Sequence, residues 1–152
     1  MIGHKIRGFT VFCDEVRQES NGKNIYIGVY NNVIIFPAND PPPIPSLTLL
    51  VNLWIDPDVS LNEDLDLRVT VPWADEPAIQ MKFDVKKAIL DGKKTGMLED
   101  GQILSIQIPL VFNNLKFEKE GLISVRAYAS REEFKLGSLM IKFMDPQPKN
   151  QT

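Results

Sequence analysis

A chain of 152 residues has room for one ordinary domain and not for a second. Its residues are 43% hydrophobic and 24% charged, with a net charge of −3. That is globular usage, and it argues against broad contact with nucleic acid or an anionic membrane. Cys13 is the one cysteine, which excludes an intrachain disulfide and suits a reducing compartment. Lys5 and Arg7 are followed by no apolar segment of the signal-peptide kind. No apolar stretch approaches the roughly 20 residues of a membrane helix. The expected location is the cytoplasm, with no membrane or nucleic-acid partner.

Alternation with a period of two then dominates. Phe9, Val11 and Cys13 share one face of the first strand, and Thr10, Phe12 and Asp14 the other. Ser20-Asn21-Gly22-Lys23 reads as a hairpin turn, because Asn-Gly accepts positive φ. Ile25, Ile27 and Val29 then alternate with Tyr26, Gly28 and Tyr30, and Gly28 marks a bulge or a close backbone approach. After Asn31-Asn32, Val33 to Phe36 reads as a short continuation of that strand. The five prolines of residues 37–45 exclude a ladder strand and predict a stiff connection between sheets.

Leu47, Leu49, Val51, Leu53 and Ile55 form a fully apolar face, with Thr48, Leu50, Asn52 and Trp54 opposite. A strand apolar on both sides is central or has a covered outer face. Leu65 to Trp73 and Ile79 to Val85 alternate cleanly, and Pro72 marks a strand end or an edge. Residues 87–92 fit either one helical turn ended by Gly92 or an extended continuation. Strands follow with Leu104, Ile106, Ile108, Leu110 and Phe112 facing inward, then Ile123, Val125, Ala127 and Ala129, then Leu139, Ile141 and Phe143. These segments predict an all-β, two-layer antiparallel sandwich of eight or nine strands, immunoglobulin-like or similar. It fills residues 1–144, and the polar tail 145–152 has nothing to bury and is expected to be disordered.

Chemistry has few footholds. His4 is the single histidine, and nine residues of strand place Cys13 roughly 30 Å from it. Cys13 reads as a small buried hydrophobe. Asp56, Asp58 and Asp64, with Asn62 and Glu63 nearby, are the best oxygen ligands for Ca²⁺, though no glycine-punctuated ligand loop accompanies them. Lys82, Lys86, Lys87, Lys93 and Lys94 lack interleaved aromatics and read as a solvated face. Pro42-Pro43-Ile44-Pro45 fits P-x-x-P without a basic flank. The surplus apolar residues are Tyr26, Tyr30, Leu50 and Trp54. They either pack beneath the proline connection or form an interaction surface.

Cys13-Asp14, the turn with Gly22-Lys23, Ile27-Gly28-Val29-Tyr30, and Phe36-Pro37 before the proline-rich loop carry a resemblance. They resemble an uncharacterised family of small bacterial β-sandwich proteins, a domain of unknown function. The likeness covers residues 1–45 by motif and the rest by strand pattern. It implies a bacterial or phage origin and a β-sandwich, and it brings no activity and no site residues. The expectation is a non-enzymatic module without a cofactor that binds another protein or itself. The alternative is a sandwich that binds Ca²⁺ or carbohydrate.

Overall fold

The computed structural model describes residues 5–37, 39–61 and 63–144. Among these residues nine strands and one helix are found, and the strands build two sheets around one apolar core. The first sheet takes β1 (Ile6–Gln18), β2 (Asn24–Val29), β4 (Ile44–Ile55) and β7 (Leu104–Leu115), in the order β2-β1-β4-β7. The second takes β3 (Val33–Phe36), β5 (Leu65–Thr70), β6 (Ile79–Phe83), β8 (Gly121–Ala129) and β9 (Glu132–Phe143), in the order β3-β9-β8-β5-β6. The sandwich expected from alternation is the observed fold. The tail, residues 145–152, lies outside the described residues, as does His4.

The inner faces are those the alternation indicates. Leu47, Leu49, Val51, Leu53 and Ile55 of β4 meet Leu65, Leu67 and Val69 of β5 and Ile123, Val125 and Ala127 of β8 in the core cluster. Each contributes its apolar surface to the space between sheets, at roughly 25 cal/mol per Å² buried. Pro72 follows the end of β5, an interior strand, so it marks a terminus and not an edge.

Two features differ from the sequence reading. Val33 to Phe36 does not extend β2. Asn32 adopts a positive φ of 66°, and the chain crosses to the second sheet, where β3 pairs parallel with β9. The sandwich is therefore not wholly antiparallel. The prolines after β3 then return the chain to the first sheet, the crossing their rigidity suggested, but Ile44 and Pro45 already belong to β4, with Ile44 opposite Leu115, so the ladder begins inside the segment expected to exclude it.

The ambiguous stretch resolves as helix α1 (Val85–Lys94), and Gly92 lies inside it. Asp84 caps it by accepting from the Lys87 amide at 3.0 Å. Val85 is buried and Ile89 packs on the core, which gives the helix its anchor. A Cβ at Gly92 would stand 3.0 Å from Leu98 Cβ, so the glycine lets buried Leu98 close against the helix. Lys93 and Lys94 occupy the last turn, where cations complement the helix dipole.

Candidate functional site: the outer face of the four-stranded sheet

The register of β4 with its two neighbours defines a grid on the outer face. Arg7, Trp54 and Ser105 form one row; Phe9, Asn52 and Gln107 the next. Val11, Leu50 and Pro109 follow, then Cys13, Thr48 and Val111. Arg7 is the one formal charge among these twelve side chains. Trp54 stays 41% exposed, and its ring meets that of Phe9 with centroids 5.4 Å apart and planes at 50°. Phe9 itself is 44% exposed. Such tilted pairs add about 1 kcal/mol beyond their area burial.

The other outer face is of a different character. Asp66 accepts from Arg68 at 2.8 Å and from Gln80 at 3.1 Å. Arg68 stacks 4.5 Å from the Tyr128 ring centre, and Arg126 pairs with Glu133 at 3.1 Å. The Arg68 hydrogen bond holds the Asp66 carboxyl below its usual range. A sheet face laced this way is satisfied in water.

Leu50 has a more particular fate. β1 pairs with β4 only from Ile6 to Cys13, whereas its pairing with β2 continues to Gln18 opposite Asn24. The far half of the hairpin is thus free of β4 and reaches over it. Asn24 Nδ2 donates to Gln107 Oε1 on β7 at 2.7 Å. Gln107 Nε2 donates to Asn52 Oδ1 at 2.9 Å, and Asn52 Nδ2 donates to the Leu50 carbonyl at 3.2 Å. Beneath this strap Leu50 is only 3% exposed. A cleft of about 370 Å³ remains, with Val16, Asn24, Leu50, Gln107, Pro109 and Val111 in its wall. The cover over Leu50 is therefore the β1–β2 hairpin and not the proline connection.

At the bend, Gly28 has φ of 66°, and a Cβ there would stand 2.1 Å from Asp14 Oδ2. This is the close approach the glycine indicated. The Asp14 carboxylate fills the space and accepts the Tyr30 hydroxyl. Burial pushes the Tyr30 phenol up to about 12, with help from that hydrogen bond and from the Asp14 charge. Tyr30 packs on the core, while Tyr26 is half exposed on the hairpin opposite Val16. Neither tyrosine stacks on Trp54, whose ring partner is Phe9. Of the four surplus side chains, Leu50 and Trp54 share the face; Phe9 completes it. Phe9 was legible as an exposed-face aromatic in the first strand once that strand's partner was known.

The remaining candidates stay apart. Asp58 is exposed and paired with Lys5 at 2.9 Å, a contact that lowers its carboxyl from the ordinary value. Glu63 accepts from the Ser130 amide. Among the described residues, no three His, Cys, Asp or Glu side chains gather as a metal site, so Asp56, Asp58 and Asp64 are not brought together as ligands. Asn62 lies outside the described residues. Cys13 is fully buried, and burial raises its thiol pKa. Among the described residues no helix is long and apolar enough to cross a membrane. Comparison with protein-family models gives no match, and neither does comparison with curated proteins.

Proposed function

We propose that this domain is a cytoplasmic, non-enzymatic protein-interaction module that docks another protein or a second copy on the outer face of its four-stranded sheet. The single observation that carries the reading is the exposed Phe9–Trp54 pair on a face with one formal charge in its grid. Contiguous exposed apolar surface of this kind marks interaction sites on folded domains. Half-exposed Trp and Phe also supply the rigid, large side chains that dominate interface energetics. The resemblance of residues 1–45 supports a bacterial or phage origin.

Affinity capture with the full chain, wild type against Trp54→Ala at a temperature where both are fully folded, tests the reading. A partner lost in the variant supports it. Equal capture by both, or capture by neither, removes Trp54 from any docking role. A rise in melting temperature with Ca²⁺ or with a glycan panel would favour a small-ligand domain instead.

A further inference from the structure

β1 accompanies β4 only as far as Cys13 opposite Thr48, whereas β7 accompanies it to Ile44 opposite Leu115. Between the departing hairpin and the start of β4 a second cleft opens, of about 650 Å³. Ile27, Tyr30, Ile44 and Pro45 give it a mainly apolar wall, and Asp14 and Ser46 supply polar groups. Its volume falls within the roughly 300–1,000 Å³ of small-molecule sites, which join apolar walls to a few placed polar groups. It lies at the opposite end of β4 from Trp54 and is separate from the Phe9–Trp54 face.

Asp14 is the feature that selects a ligand. It is half-buried, and among the described residues no Lys or Arg pairs with it. Arg17 is held by Glu15 at 3.3 Å, and Lys116 by Asp40 at 2.5 Å. Tyr30 donates its hydroxyl to Asp14 Oδ1. With its phenol raised to about 12, Tyr30 keeps that proton at neutral pH and stays a neutral donor. A carboxylate drawn out of water without a counter-ion is costly, and a cation in the same cleft offsets that cost.

The geometry also chooses among cations. A guanidinium is bound best by both carboxylate oxygens in parallel. Here Oδ1 is engaged by Tyr30 and Oδ2 lies against Gly28. An ammonium is a compact point charge and needs no such fork. The apolar wall beside it suits a methylene chain.

We infer that this cleft binds a small aliphatic monoamine, with its ammonium on the Asp14 carboxylate and its hydrocarbon chain along Ile27, Ile44 and Pro45. The site goes beyond the docking face and does not depend on it.

Titration of the full chain with n-hexylammonium chloride at neutral pH and low salt, followed by amide chemical shifts, reads the site. Saturable shifts should gather at Ile27, Tyr30 and Ser46. Each methylene from propyl to hexyl should tighten binding about threefold. n-Hexanol, equal in chain but uncharged, should bind about tenfold more weakly. Asp14→Asn preserves the shape of the side chain and should weaken hexylammonium about tenfold while leaving hexanol unchanged. A thermal melt of that variant verifies its fold. Equal binding of hexanol and hexylammonium by the wild type overturns the proposal without any variant. Shifts that do not saturate or that gather elsewhere overturn it too, as does a folded Asp14→Asn chain that binds hexylammonium as the wild type does. Tighter binding of Nα-acetyl-lysine amide than of hexylammonium overturns the free amine and assigns the cleft to a lysine side chain of a partner. Partner capture through Trp54 reads the docking face separately, so either reading can fail while the other stands.

Discussion

Asn24 and Gln107 meet at 2.7 Å although 83 residues separate them, and their carboxamides tie the tip half of one hairpin across a neighbouring strand. That contact decides what the outer face presents. With the strap in place Leu50 is interior, and Phe9 and Trp54 remain at the surface.

The strap should behave as a coupled pair. Asn24→Ala and Gln107→Ala, alone and together, should show a coupling of about 1 kcal/mol in urea denaturation, since each removes one end of the same hydrogen bond. Amide exchange in β2 should quicken in either single variant while β4 stays protected.

Leu50 and Trp54 occupy the same strand face and should differ in how much stability each supplies. Leu50→Ala empties a buried site and should cost about 3 kcal/mol. Trp54→Ala removes a half-exposed ring and its contact with Phe9 and should cost about 1 kcal/mol. Chemical denaturation of both variants checks the order; a larger loss at Trp54 would make it a core residue.

Gly28→Ala should destabilise by about 2 kcal/mol, because its φ is positive and the new methyl collides with the Asp14 carboxylate. Asp14→Ser should relieve the collision and recover part of the loss, which a double-mutant thermal melt would show.

Tyr30 predicts an alkaline limb in stability. Its phenol is raised to about 12 in the folded chain, above the ordinary value near 10. Below pH 10 both states keep the proton and the contribution is whole. Between about 10 and 12 the unfolded chain releases it first, so stability falls as pH rises. Tyr30→Phe should flatten that limb, which chemical denaturation across the alkaline range would show.

Cys13 should resist thiol reagents in the native state. It is fully buried, and its thiol is raised by that burial and by the Asp14 charge. Labelling should proceed at the rate of unfolding; fast labelling of folded protein would place the sulfur at the surface.

Much of this is legible residue by residue. A period of two is a local property of extended backbone, so the sequence by itself determined where strands run and which side chains face inward. Leu47 to Ile55 and Leu65 to Val69 are read without any knowledge of their partners, and Trp54 is seen to lie opposite a complete apolar face. Tertiary structure alone decided the rest, because strand pairing is a contact between distant segments. Val33 to Phe36 carries no mark of the sheet it joins; β9, over a hundred residues later, supplies the edge. The helix extends through Gly92 because Val85 and Ile89 find the core and Leu98 closes on the glycine. Leu50 and Trp54 look alike in the pattern, and only the departure of β1 from β4 after Cys13 buries one and leaves the other in water.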